Sequence, residues 1–266
     1  MQKVRSSYFV ILLVSFSLIG CQDNKEDGVL DSTAETVEYS PSDSEREYET
    51  YASAVDADTS LLKGNSLYYS REDGATMEVL ISVDKNNQPI KMKELYSETG
   101  SLSLCSNTFY FKNGKKHISI ELFEEGDGMT GAFTERISYY DEKEVPVKTL
   151  ERKAEYEDQL EFEQYAVSKK TDCSTERAFR ALNQEGEFAT TFQGFIKEGP
   201  YLYLIVGENE KVGFTSSLVV QYEGQTIQNL QANEKEMIGK GIQVEFETLS
   251  GSQGYEYQIL MSTRMR

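Results

Sequence analysis

The chain has 266 residues, with 45 acids against 27 lysines and arginines, one histidine, no tryptophan and a formal net charge of −18. That balance argues against a nucleic-acid partner, because phosphate contacts need a basic patch. One histidine excludes a two-histidine metal site within the chain, and any Ser-His-Asp arrangement would have to be built around His117.

Residues 1–20 carry the parts of an export signal: Lys3 and Arg5, an apolar run from Tyr8 to Ile19, and the small residue Gly20 before a processing point. A helix of that run covers roughly 18 Å, short of the roughly 30 Å hydrocarbon layer, so it reads as a signal and not a span. The junction Leu18-Ile19-Gly20-Cys21 resembles the lipobox of bacterial lipoproteins at every position. The resemblance implies diacylglycerol on the Cys21 sulfur, cleavage after Gly20 and a further acyl chain on the new amino terminus. The membrane is then a partner through the Cys21 lipid, since several acyl chains hold stably where one holds marginally. The plainer alternative is a secretory signal that happens to contain a cysteine.

Loss of Lys3 and Arg5 with the signal takes the formal charge from −18 to −20. Residues 21–62 are expected to form an acidic disordered tether. Between Gln22 and Ser60 there are twelve acids against Lys25 and Arg46, with few aliphatic residues, a composition that buries too little apolar surface to fold alone. Its start, Gln22-Asp23-Asn24-Lys25-Glu26-Asp27, resembles the acidic signals of some Bacteroidota lipoproteins carried to the outer face of the outer membrane. The resemblance implies an outer-membrane location with exposure at the cell surface.

From Leu61 the texture changes to short runs rich in Tyr, Phe, Val and Ile separated by turns, so a mainly β fold is expected. Turns beginning near Asp84, Asn113 and Asp141 recur every 28 to 29 residues, and each repeat reads as one hairpin. Asn113-Gly114 is the strongest single signal, because a type I′ turn needs positive φ at both central positions. An antiparallel hairpin-repeat sheet is therefore expected over 63–172. Alternation along its strands places His117 with Ser119 and Glu121 on the wetter face. Asp84–Gln88 and Glu124–Gly128 faintly resemble calcium loops but lack the full ligand set and read as solvated turns.

A connecting helix is expected over 173–186, capped by Ser174 or Asp172, with Ala178, Phe179, Ala181 and Leu182 as its apolar face and Gly186 beyond it. Over 187–266 the order is three strands (188–197, 201–206, 212–222), a short helix (233–238) and two strands (242–249, 255–262). That order, with Ile238-Gly239-Lys240-Gly241-Ile242 ahead of the fourth strand, resembles an OB-fold barrel; a β-sandwich is the alternative. Ten acids against six bases there disfavour nucleic acid. Tyr201, Tyr203, Tyr255 and Tyr257 read either as a stacking platform or as one packed face.

With Cys21 lipidated, Cys105 and Cys173 remain, and a disulfide between them would close a loop worth about 4 kcal/mol by chain entropy; two unrelated buried thiols are the alternative. The sequence holds no GxSxG, Walker loop or HExxH, and no catalytic, cofactor or metal residue is singled out. The function expected is that of a lipid-anchored, non-enzymatic binding or accessory protein of the envelope, with an unknown protein or glycan partner. The alternative is an inhibitor or immunity-type protein that neutralises a basic enzyme or toxin.

Overall fold

Hairpins of alternating sequence dominate the chain, and the fold is mainly β. The computed structural model describes residues 40–101, 103–125, 131–208, 213–251 and 256–266; Cys21, residues 21–39 of the expected tether and residues 126–128 of the second calcium-like turn lie outside them. The described residues belong to one compact unit, Glu38–Arg266.

The strands are β1 (Leu62–Asn65), β2 (Tyr69–Ser70), β3 (Thr76–Val83), β4 (Pro89–Ser97), β5 (Cys105–Lys112), β6 (Lys115–Glu125), β7 (Ala132–Tyr140), β8 (Pro146–Ala154) and β9 (Ala166–Ser168). In the C-terminal part follow β10 (Thr191–Glu198), β11 (Tyr201–Gly207), β12 (Thr215–Val219), β13 (Ile242–Ser250) and β14 (Glu256–Met265). From β3 to β9 each strand pairs antiparallel with the next, so the expected meander is formed. Its turns explain the repeat. In Asp84–Gln88 and in Asp141–Val145 the aspartate Oδ1 accepts from the backbone N–H groups two and four residues on, and the fourth residue, Asn87 or Glu144, has positive φ. Asn113 and Gly114 have φ of 55° and 74°, the I′ geometry their sequence demands. Asp84 spends its carboxylate on its own turn.

The two faces of the meander are covered differently. On one face Met77, Val79, Met92, Phe109 and Phe111 form a core with Ala178 and Ala181 of α2 (Glu176–Asn183) and with Phe188, Phe192, Leu204, Leu218, Ile242 and Val244. Helix α2, expected as a connector, thus lies at the centre of a core that draws on both halves of the chain. Farther along the same face the cross-strand row runs Glu94, Asn107, Glu121, Arg136, Glu151, so apolar packing gives way to paired charges from β4 to β8. Arg136 meets Glu151 at 2.9 Å, and on the opposite face Arg152 pairs with Glu135; these reciprocal pairs between adjacent residues pin the β7–β8 register.

The opposite face carries Tyr110, Ile118, Tyr139 and Leu150 under α1 (Asp43–Ala57). This corrects the expected tether: residues 43–57 are helical and packed. Ser42 and Glu45 form a reciprocal capping box, Tyr48, Tyr51, Ala52 and Val55 make the stripe that meets the sheet, and Glu47 and Glu49 point to water. Tyr48 Oη donates to the Tyr140 carbonyl at 3.0 Å, Glu45 pairs with Lys148, and Asp56 meets Lys91 Nζ at 2.5 Å. Of the acids that suggested disorder, those of 43–57 are the helix's solvent face and its clamps.

The C-terminal part keeps the expected order of three strands, helix and two strands, with α3 (Gln225–Ala232) and the short α4 (Glu234–Met237) between β12 and β13. It is not a closed barrel or a separate sandwich. All fourteen described strands join one mixed sheet, in which β12 pairs antiparallel with β2 at Thr215 and Ser70, and in parallel with β14 at Val219 and Ile259. Between β10 and β13 the seam is a single bridge, Thr191 to Gly241. The barrel order is present without ladder closure, because β12 passes from its own hairpin onto the meander.

Candidate functional site

A cleft of about 530 Å³ opens where the meander and α2 meet Glu208, just past β11, and Phe214, just ahead of β12. Arg71 belongs to the β2–β3 turn, where Gly74 supplies the positive φ. Its guanidinium grips Asp73 through Nε and Nη2, reaches Thr99 Oγ1 at 2.8 Å and lies 5.3 Å from the Phe214 ring centre. Arg71 and Thr99 hold the Asp73 carboxyl well below the usual carboxylate range. On the other wall Arg177 of α2 lies over the Tyr96 ring at 4.3 Å and gives Nε–H to Glu94 Oε1 at 2.6 Å. Glu94 is buried and also accepts from Asn107 Nδ2 at 2.6 Å, and burial pushes the Tyr96 phenol up to about 12. Glu187 is held by Arg180 at 2.7 Å.

Phe188 and Phe214 complete the apolar lining, their ring centres 5.0 Å apart. Gly207 sets the approach of β11 to the 213–215 stretch: its φ is +149°, and a Cβ there would collide with the Phe214 carbonyl. Two further lining carboxylates, Glu98 and Glu208, have no hydrogen bond or ion pair with a described side chain. The cleft thus presents two guanidinium–ring stacks, each neutralised by its own carboxylate, and two carboxylates without a partner among the described residues.

No protein-family model, curated protein or solved structure matches the chain. The arrangement of its own residues therefore carries the functional argument.

The residues singled out in the sequence lie elsewhere. Cys105 and Cys173 are both buried free thiols and form no disulfide. Cys105 sits in the row of Tyr96, near Glu98 and Glu124; Cys173 lies over Glu121, Glu94 and Lys116. Burial pushes both thiols up, Cys173 far above the ordinary thiol range. Below Cys173, Lys116 Nζ reaches Asp172 and the Cys173 carbonyl, each at 2.5 Å, over the Tyr140 ring, and so ties the 172–173 stretch to the sheet. His117 is not on the face of Ser119 and Glu121. Partners of Tyr110 and Phe111 are Ile118 and Lys116, so His117 is the extra residue of a bulge and turns to α1, 4.4 Å from the Tyr48 ring and 5.3 Å from that of Tyr51. Burial, then Lys112, lower its pKa. Tyr201 and Tyr203 lie with ring centres 6.4 Å apart on β11, away from the cleft lining; Tyr255 lies outside the described residues. Arg71, Tyr96, Arg177, Glu98 and Glu208 escaped the sequence reading because they come from separated stretches with no spacing in common. Only Asp73-Gly74, as a turn signal, marks their neighbourhood.

Proposed function

We propose that the protein is a lipid-anchored envelope lipoprotein, held through Cys21 to a membrane, the outer membrane in this reading, and acting as a non-enzymatic binding or accessory protein. The anchor rests on Leu18-Ile19-Gly20-Cys21 and the signal ahead of it. Binding rests on one observation: an open cleft lined by paired guanidiniums, aromatic rings and two carboxylates without described partners. Such a lining combines apolar walls with a few oriented polar groups, which is what ligand sites use. Residues 22–41 then serve as the acidic spacer between lipid and folded body, shorter than the sequence suggested because α1 belongs to the body.

A second reading, inhibition of a basic enzyme or toxin, has its own support. Glu155, Glu157, Asp158, Glu161 and Glu163 crowd one exposed stretch beside β8, with Phe162 77% exposed among them, an acidic rim around an apolar tip. Membrane flotation tests the anchoring: the full chain floats with envelope membranes and Cys21→Ser does not. Soluble recovery of the wild type, or unchanged flotation of Cys21→Ser, overturns it.

A further inference from the structure

We infer that the cleft takes a cationic side chain, lysine or arginine, from a basic segment of a partner protein; this deepens the binding reading and rests on it. The inference follows from the charge left after every pair in the cleft is closed. Its charged lining residues are Arg71, Glu98, Arg177, Glu187 and Glu208. Asp73 answers Arg71, Glu94 answers Arg177 and Arg180 answers Glu187. Among the described residues Glu98 and Glu208 remain, and they line one cavity from just past the ends of β4 and β11.

An anionic ligand would have to displace Asp73 or Glu94 from its guanidinium. Asp73 is held there by Nε and Nη2 together, and Glu94 is buried with a second donor from Asn107, so that exchange breaks charge-assisted bonds already made. A cation breaks nothing and gains two carboxylates. The walls suit the carbon stem of such a side chain, because Tyr96, Phe188 and Phe214 line the cleft and long basic side chains lay their methylenes on apolar surface while the charged head stays with its counter-charge. A basic segment also fits the chain at long range, since its net charge of −18 speeds encounter with a positive partner.

The test uses the full chain in detergent micelles and a fluorescent, terminally blocked hexapeptide of alternating lysine and serine, read by anisotropy at low and at moderate salt. Binding should weaken about tenfold in Glu98→Gln/Glu208→Gln, while Glu157→Gln/Glu161→Gln, which removes the same charge from the exposed stretch beside β8, leaves it within about twofold. The matching glutamate–serine peptide should not bind. Urea midpoints measured in parallel check that both variants fold, and Glu98→Lys alone, at an exposed position, should repel the lysine peptide. Equal weakening in the two double variants shows diffuse attraction and overturns the cleft assignment. Weakening only in Glu157→Gln/Glu161→Gln moves the site to that stretch, and absence of binding overturns the ligand class. Flotation is independent of the cleft, so failure here leaves the anchoring reading standing.

Discussion

Removal of Arg177 should cost more than removal of its partner Glu94, although the two make one ion pair. The Glu94 side chain is 2% exposed and that of Arg177 is 40% exposed, with 2.6 Å between Nε and Oε1. Arg177→Met leaves a buried carboxylate with Asn107 alone, and breaking a buried pair in this direction costs about 3–5 kcal/mol. Glu94→Gln keeps the volume and frees a guanidinium that already touches water, so the loss is about 1–2 kcal/mol. The double variant leaves no buried charge, and its cost should fall short of the sum by about 2–3 kcal/mol. Urea unfolding followed by far-ultraviolet circular dichroism and tyrosine emission gives the three values, the chain having 17 tyrosines and no tryptophan. An Arg177→Met cost equal to or below that of Glu94→Gln, or a coupling under about 0.5 kcal/mol, would refute the argument that desolvation of Glu94 governs this wall of the cleft.

Three other outcomes follow from the same geometry. His117 titrates below its ordinary 6.5, so the unfolded chain binds more protons between the folded and unfolded pKa values. Its contribution is therefore full above 6.5 and is lost as pH falls from there through the lower folded value, and His117→Gln should flatten the dependence of unfolding free energy on pH between about 7.5 and 5.5; a slope unchanged from the wild type refutes the burial of the imidazole under α1. Limited proteolysis should leave a resistant core that begins near residue 40, and Val55→Ala should cost about 1.5 kcal/mol for two buried methyl groups. Rapid cleavage throughout 43–57 would contradict the docked helix. Cys105 and Cys173 should resist iodoacetamide in the native chain and both alkylate in urea without reductant; a mass that shows them joined would contradict two free thiols.

The meander was legible because its signals are local. Asn113-Gly114 and the Asp84 and Asp141 turns dictate backbone geometry within five residues, and alternation does the rest. Helix α1 was equally local, in Ser42-x-x-Glu45 and the spacing of Tyr48, Tyr51, Ala52 and Val55, but the average composition of the surrounding acidic stretch outweighed it. His117 was misplaced by one residue of bulge, which reverses every facing assignment drawn from alternation across it. Helix α2 was found, yet its left-handed end begins at Gln184, with φ of 56°, ahead of Gly186. The barrel failed at closure, a question of which strand β12 meets, decided by partners 145 residues apart at Ser70 and Thr215. The cleft is of the same kind: Arg71 and Phe214, or Glu94 and Arg177, become neighbours only after the whole sheet is assembled.

The most direct measurement of an anchored protein that works through this cleft is site-specific photo-crosslinking in intact cells. A photo-reactive side chain at Thr99, an exposed residue of the cleft lining, should give one discrete adduct in the envelope fraction, and the same group at Val167 on the edge strand β9 should give none. An adduct from Val167 alone, or none from Thr99, would contradict it.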